Sequence, residues 1–423
     1  MNTLQMNATT KEQPSQATDL DARPVCQNAL EDILRLGAQQ LLQSAIETEV
    51  AEYVQRHQDE LDDRKRRLVT RNGTLPPRSL QSAQGSIRIK QPRVRERREG
   101  HRFTSSILPP YLRRVASLDN LIPALYLRGV STNQMQTALE AILGSNAPGL
   151  SAANVVRLKS EWETQRKQWQ ARSLEGKEYI YLWVDGIYFN VRLSTDRPCL
   201  LVIVGALADG TKELVGLYDG HRESKISWKE FLSDLKTRGL KQAPKVVVGD
   251  GALGLWGALE EEYPGVKHQR CWVHKAANVL DKMAKSVQPG AKEMLKEIYM
   301  SPSRKTAGEA LAKFARVYKA KYPKAVACLE KGKEELLSFY DFPAEHWPHL
   351  RTTNPIESTF ATVRHRTRQT KGCGSRQATL AMVYQLLRQT ENGWRKLNGA
   401  KQLDKVLAGV LFIDGEEQPQ KAA

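Results

Sequence analysis

The chain has 423 residues, 40% of them apolar, enough to bury a sizeable core and to form two or three domains rather than one. Its 64 Lys and Arg against 47 Asp and Glu leave a formal charge of +17 and a pI near 9.6, an excess that draws polyanions by counterion release. No apolar run has the length to cross a bilayer, and Met1 to Arg23 lacks the order of a signal peptide, so a cytoplasmic protein is expected. The cysteines Cys26, Cys199, Cys271, Cys328 and Cys373 are odd in number and scattered, which excludes a disulfide framework.

Residues 1–25, rich in Gln, Thr, Asn and Asp, read as a flexible tail. From Asn28 to His57 the positions Leu30, Ile33, Leu34, Leu41, Leu42, Ala45, Ile46, Val50 and Val54 recur at helical spacing. Segment 26–60 is therefore one long amphipathic helix, and its stripe asks for a partner; a homodimer or larger oligomer is the expectation.

Segment 61–175 is strongly basic at first. Between Leu61 and Asn120 fifteen basic residues face five acidic ones. The alternatives are a nucleic-acid surface, a solvated basic face or an anionic-membrane patch, and DNA is the reading adopted. Candidate phosphate contacts are Arg64, Lys65, Arg66, Arg67, Arg93 and Arg95. Residues 78–98 alternate like a short strand pair around Gly85, with Pro92 interrupting the ladder. Three helices should follow, Leu118 to Arg128, Thr132 to Leu143 and Ala152 to Ala171, with Ser131 and Ser151 placed as N-caps. Their spacing is that of a helix-turn-helix, though plain helical bundles share it. This region is expected to be mainly helical.

The period then changes. Tyr179 to Leu193, Pro198 to Ala208 and Glu213 to Tyr218 read as strands, with Asp209-Gly210 as a hairpin turn between the last two. Ser227 to Leu240 is helical, Lys245 to Gly249 a strand, Leu253 to Glu262 a helix and Val266 to Trp272 a fifth strand. Such an order predicts an α/β fold built on a mixed sheet with helices on its faces, as in ribonuclease-H-like folds. Segment 176–274 would hold it. Segment 275–350 is helical throughout, in stretches Lys275 to Lys285, Ala291 to Met300, Thr306 to Lys319 and Tyr322 to Phe339. Segment 351–412 adds helices Pro355 to Arg368 and Gln377 to Lys396, and residues 413–423 read as a second tail.

Three acids stand out. Asp185 lies in an apolar run, Tyr179 to Phe189, where a carboxylate costs free energy unless paired or on a metal; an Asp-Gly hairpin turn is the bland account. Asp250 follows an apolar strand between Gly249 and Gly251, where open sheets present ligand-binding groups, or it simply caps a helix. Glu357 follows Asn354-Pro355, a capping arrangement with Asn at N-cap and Glu at N3, but the stretch behind it carries Arg364, Arg366, Arg368, Lys371 and Arg376 and no acid. Arg364, Arg366, Arg368 and Lys371 are further candidate phosphate contacts, as is Arg351. Three carboxylates from a first strand, a fourth strand's end and a late helix suit two Mg²⁺ or Mn²⁺ ions acting in phosphoryl transfer.

These residues carry a resemblance. Asp185, Asp250 and Glu357, with Cys271-Trp272-Val273-His274 between the last two, look like the pattern of mutator-type bacterial insertion-sequence transposases. So do Arg71-Asn72-Gly73, Leu127 to Thr132, Val184-Asp185-Gly186, Gly249-Asp250-Gly251 and Thr352 to Ser358. The resemblance implies a catalytic domain of ribonuclease-H-like fold with Asp185, Asp250 and Glu357 as its metal-binding acids, interrupted by an all-helical insertion. It also implies binding of double-stranded DNA at the terminal inverted repeats through the N-terminal region, cleavage at the element's ends and joining to target DNA. The alternatives are a nuclease of the same fold and a silent DNA-binding regulator.

Cys271 and His274 could supply half of a tetrahedral zinc site, with His346 and His349 as the other half; the main reading leaves Cys271 in the core and His274 on a phosphate or a catalytic carboxylate. Trp347 could stack on an unpaired base, or be an ordinary buried Trp.

Overall fold

The computed structural model describes residues 22–82, 85–113, 115–130, 134–135, 137–139, 152–189, 199–220, 222–369 and 375–419. The chain forms two compact units, residues 1–125 with 132–154, and residues 126–131 with 155–423.

In the first unit, helix α1 (Ala22–Arg56) starts inside the expected tail. Strands β1 (Val69–Thr74), β2 (Arg78–Ser82), β3 (Gly85–Ile89) and β4 (Pro92–Glu96) follow, where a single strand pair was expected. β2 and β3 form the hairpin expected around Gly85. β4 leaves that ladder and pairs with β1, Thr70 opposite Arg95; Pro92 opens the strand, where its missing N–H costs little. The second half of α1 packs Ile46 against Leu80, Ile87, Ile89 and Leu108. Gln43 clips the helix to the hairpin, exchanging side-chain hydrogen bonds of 2.8 and 3.0 Å with the backbone of Lys90. The first half of α1 leaves Leu30, Ile33, Leu34, Leu36 and Leu41 exposed. Helix α2 (Ala116–Leu127) matches its expected span. Most of the expected helix Thr132 to Leu143, the loop after it, Ser131 and Ser151 lie outside the described residues, and with them the helix-turn-helix.

The second unit includes α3 (Ala152–Gln170) from Val155 on and is built on a five-stranded sheet of β5 (Tyr181–Tyr188), β6 (Cys199–Ala206), β7 (Lys212–Gly220), β8 (Val246–Gly249) and β9 (Lys267–Arg270), in the order β7-β6-β5-β8-β9. The first three are antiparallel, and β5, β8 and β9 are parallel, so the expected mixed sheet is present. Gly210, at φ 79°, turns the β6–β7 hairpin as expected of Asp209-Gly210. Helices α4 (Lys225–Thr237) and α5 (Leu253–Glu262) cover one face, where Leu182 and Val184 of β5 meet Trp228, Phe231, Leu255 and Leu259.

Beyond β9 come helices α6 (Trp272–Leu280), α7 (Gln288–Tyr299), α8 (Arg304–Tyr318), α9 (Pro323–Glu330) and α10 (Lys333–Leu337), with no strand among them. The single helix expected from Tyr322 to Phe339 is split at Gly332, whose φ of 75° is left-handed backbone that ends a helix. Short α11 (Trp347–Leu350) leads to α12 (Asn354–Gln369) and α13 (Arg376–Glu391). The end of the chain is not a loose tail up to residue 419: Phe412–Ile413 pairs with Glu416–Glu417, and Asp414 accepts the Arg304 N–H at 2.6 Å. Among the described residues no helix is long and apolar enough to cross a membrane.

Candidate active site

Successive residues of a strand point to opposite faces. With Leu182 and Val184 turned toward α4 and α5, Tyr181, Trp183 and Asp185 turn the other way. On that face Tyr181 hydrogen-bonds His346 at 2.7 Å and Trp183 donates to the His349 carbonyl at 2.8 Å. Asp185 is thus aimed at the layer that carries α11 and α12. Asp185-Gly186 is no hairpin turn; it runs through mid-strand, paired with Val202 and Leu201 of β6.

Asp250 arrives from the other side. β8 lies parallel to β5 with Trp183 opposite Val248, the last pair of that ladder, and Asp185 and Asp250 each follow two residues later, Asp250 just beyond the end of β8. The Asp250 carboxylate accepts the Ala252 N–H at 2.8 Å, and Asp185 accepts the Gly186 N–H at 2.8 Å. Both side chains are half-buried.

Glu357 comes from α12. The Thr353 carbonyl accepts the Glu357 N–H at 3.0 Å, which makes Thr353 the N-cap and moves the helix start one residue before the Asn354 cap expected. Glu357 therefore falls beyond N3 and closes no capping box. Its carboxylate instead accepts the Thr353 hydroxyl at 2.9 Å, and Thr353 meets Cys271 Sγ through its N–H and its hydroxyl, each at 3.4 Å. Cys271 in turn donates its N–H to the Gly249 carbonyl at 2.7 Å, and Trp272 donates to the Arg351 carbonyl at 2.9 Å. The start of α6 thus ties the end of β8 to the start of α12.

Among the described residues, Cys271, His274 and Glu357 bring one donor atom each within 4.8 Å of one another. His274 Nδ1 stands 3.8 Å from Glu357 Oε1. The four-residue zinc set does not assemble. His346 is fully buried with both ring nitrogens in use, one toward Tyr181 and one toward the Gly399 carbonyl at 3.0 Å. His349 accepts the Asn398 N–H at 3.1 Å, and burial holds its imidazole down at about 4. Both histidines serve the core.

The charges of these groups bear on one another. Burial pushes Asp185 up to about 6; Asp250 and Glu357 add to the rise, while His274 and the Gly186 N–H oppose it. His274 is held up at about 9, first by Cys271 and then by Asp185 and Glu357, against the opposing effect of burial. A fourth acid that sequence reasoning missed belongs to the same field. Burial, then Asp250 and Asp185, push Glu223 up to about 7, and His274 opposes. Its only sequence signal was the glycine after Asp185: a side chain at Gly186 would collide with the Glu223 carboxylate.

The basic residues divide. Arg64, Lys65, Arg66, Arg67, Arg93 and Arg95 are exposed on the first unit, although Arg66 is paired with Asp62 at 2.9 Å. Arg364 and Arg368 are exposed on α12. Arg366 is a correction: it is 2% exposed, with its guanidinium 4.5 Å from the centre of the Tyr126 ring, so it packs inside rather than meeting phosphate. Trp347 is buried too and donates to the Phe342 carbonyl at 2.9 Å, which leaves no face for a base. Arg351 is half-buried over the Phe339 and Trp347 rings at 4.8 and 5.3 Å. Lys371 lies outside the described residues.

Asp185 in β5 and Asp250 just after β8 thus each follow, by two residues, paired positions of neighbouring parallel strands, and Glu357 on a late helix is linked through Thr353 and Cys271 to the end of β8. Residues 8–397 match the family described as Transposase, Mutator family, and the chain belongs to that family. It is 50% identical over 298 residues to the transposase for insertion sequence element IS6120 of Mycolicibacterium smegmatis, covering 70% of this chain and 92% of the relative. It is 51% identical over 288 residues to the transposase for insertion sequence element IST2 of Acidithiobacillus ferrooxidans, covering 66% and 95%. The transposase for insertion sequence element ISRM5 of Rhizobium meliloti is 28% identical over 378 residues, 88% of this chain and 92% of the relative.

Proposed function

We propose that this protein is the transposase of an insertion sequence, binding the element's terminal inverted repeats, cleaving DNA at its ends and joining the 3′-hydroxyl to target DNA. What supports the reading is the parallel pairing of β5 with β8 up to Trp183 and Val248, each two residues before an aspartate, together with the effect of Asp250 and Glu357 on the Asp185 carboxyl. The catalytic core is read as ribonuclease-H-like, with α7 to α10 inside the helical insertion.

The residues fit two Mg²⁺ or Mn²⁺ ions. Their donors are carboxylate oxygens, the ligands hard cations prefer, and Asp185 is strained toward its neutral form by burial and like charge, which an added cation would relieve. Asp185, Asp250 and Glu357 would hold the ions; bound there, the metal supplies activation of a water or 3′-hydroxyl and stabilisation of the leaving oxygen. The chain's own part is orientation. Thr353 and Cys271 fix the Glu357 carboxylate, and His274 places a positive charge beside Glu357 and Asp185, where it can meet a phosphate oxygen of the scissile strand.

Arg364 and Arg368 would hold backbone phosphates near the acids, and Arg64, Lys65, Arg67, Arg93 and Arg95 would hold the DNA on the first unit. Bringing two ends together needs at least two copies, and the exposed apolar row from Leu30 to Leu41 on α1 is where we place the contact. Its work on DNA belongs in the bacterial cytoplasm.

Labelled duplexes bearing the element's end, incubated with the protein and Mg²⁺, test this. Asp185→Asn, Asp250→Asn and Glu357→Gln should each abolish nicking and leave binding intact. Nicking that survives in any of the three variants would remove that residue from the site.

A further inference from the structure

Cys271, His274 and Glu357 converge, but not at the spacing of a hydrogen-bonded cluster. Glu357 Oε1 lies 3.8 Å from Cys271 Sγ and 3.8 Å from His274 Nδ1. A ring nitrogen and a carboxylate oxygen sharing a proton would stand about 2.7–2.9 Å apart. His274 Nδ1 is buried, yet it has no hydrogen-bond partner of ordinary length among the described residues. A buried nitrogen left in that state is costly unless some other group engages it.

The spacing suits one ion shared by all three. Zinc bonds of about 2.3 Å to sulfur and about 2.0–2.2 Å to nitrogen and oxygen put the ligand atoms of a tetrahedron roughly 3.3–3.6 Å apart. The two edges that meet at Glu357 exceed this by only a few tenths of an ångström. The third, from sulfur to nitrogen, is no more than 4.8 Å, which a turn of the imidazole ring would shorten. Donor chemistry points the same way: sulfur, nitrogen and oxygen together are a set that Zn²⁺ takes and that Mg²⁺, which prefers oxygen, does not. The sulfur is held in place. Cys271 is fully buried as the N-cap of α6, and its Sγ accepts the Thr353 N–H at 3.4 Å, the kind of outer hydrogen bond that orients a metal ligand. The side chains of His274 and Glu357 are 35% and 25% exposed, which gives an ion a way in from solvent. Three protein ligands leave a fourth position for water, the pattern of an open rather than a closed zinc site.

We propose that Cys271, His274 and Glu357 form a Zn²⁺ site whose ion takes Glu357 from the Mg²⁺ centre and so holds the protein inactive while it is bound. The ion replaces the thiol proton of Cys271 and the proton of the His274 imidazolium, and both go to water. His346 and His349, engaged elsewhere, take no part. The inhibitory half rests on the reading of Glu357 as a ligand of the Mg²⁺ centre; the binding half does not.

Co²⁺ and Zn²⁺ added to the full-length protein test the binding half without any appeal to activity. Co²⁺ should give the charge-transfer absorption of a thiolate ligand and the visible bands of a tetrahedral ion, and an equimolar amount of Zn²⁺ should erase both. Cys271→Ser should lose the charge-transfer absorption. His274→Ala should weaken Zn²⁺ binding by about tenfold or more, since even an outer partner of a ligand is worth that much. Asp250→Asn should keep the Co²⁺ signals and the Zn²⁺ affinity of wild type. For the inhibitory half, nicking by wild type in Mg²⁺ should cease once Zn²⁺ matches the protein and return when a chelator selective for Zn²⁺ is added. Co²⁺ bound without thiolate absorption, or Zn²⁺ affinity lost in Asp250→Asn but kept in Cys271→Ser, would overturn the site and leave the Mg²⁺ reading untouched. Tight Zn²⁺ binding with nicking undiminished would overturn the inhibitory half. Absence of nicking in Mg²⁺ alone would count against the proposed function instead, with the binding measurements still deciding the site.

Discussion

Thr353 links the residues at the two ends of the helical stretch from α6 to α11, giving its hydroxyl to Glu357 at 2.9 Å while the same oxygen lies 3.4 Å from Cys271 Sγ. It is fully buried, so no water replaces it. Thr353→Val keeps the shape and removes the donor. A hydrogen bond to a charged group is worth about 1.5–3 kcal/mol, so a carboxylate released from it should slow single-turnover nicking by roughly tenfold or more. An unchanged rate would mean that Glu357 is held by something else.

The share of stability contributed by Asp185, Glu223 and His274 should fall as pH rises when divalent ions are absent. Asp185 is raised from 3.8 to about 6, Glu223 from 4.5 to about 7 and His274 from 6.5 to about 9. A group whose folded value lies above its unfolded one gives its full stabilisation below the unfolded value and loses it as pH climbs through the folded one. The three losses therefore follow one another across pH 4 to 9. Melts of wild type and Asp185→Asn in EDTA check this: the variant should gain on wild type between pH 4 and 6, and Mn²⁺ should shrink that gain. A variant that loses ground over the same range contradicts the picture.

The arginines of α12 should separate into two kinds. Arg364 and Arg368 are exposed, and Arg366 is buried over Tyr126. Replacing Arg364 and Arg368 together by Ala should weaken DNA binding regardless of sequence and flatten the slope of log affinity against log salt by about 2, near 0.9 for each phosphate that is no longer neutralised. Arg366→Ala should instead destabilise the fold by about 1–3 kcal/mol because its packing over Tyr126 is removed. A salt slope altered by Arg366→Ala in a protein of unchanged melting temperature would reverse the assignment.

Legibility of the chain follows how local each determinant is. The strand run from Tyr179, the Asp209-Gly210 turn and helix Leu253–Glu262 are written in short-range period and turn chemistry, and they stand close to where the sequence puts them. Asp185 and Asp250 stand out in the sequence as carboxylates within or beside apolar strand runs, and Glu357 through the acid-free basic stretch behind it. The pairing of β4 with β1 was hidden, since it joins strands with a whole hairpin between them and Pro92 argues against a ladder. Glu223 was hidden for the same reason: its partner is a missing side chain on another strand. Arg366 shared the face expected of Arg364 and Arg368, and only the packing of Tyr126 against α12 sets it apart. His346 and His349 had plausible spacing for a metal, but Tyr181, Gly399 and Asn398 take their nitrogens.

Self-association should depend on the front half of α1. Leu34 and Leu41 are 52% and 75% exposed, whereas Ile46 and Val50 are buried within the unit. Leu34→Glu with Leu41→Glu leaves that core untouched and should give a monomer in light scattering, with DNA binding retained and paired-end complexes abolished. A dimer that survives both substitutions would place the interface elsewhere.

Joining of pre-cleaved element ends to plasmid DNA tests the central claim most directly, because it isolates the step that separates a transposase from a nuclease. With Mg²⁺ or Mn²⁺ the wild-type protein should link the exposed 3′-hydroxyl to the plasmid, and Asp250→Asn should bind the same ends and join none. Joining that persists in Asp250→Asn, or that proceeds unchanged in EDTA, would contradict the account; nicking of the plasmid without joining would make the protein a nuclease instead.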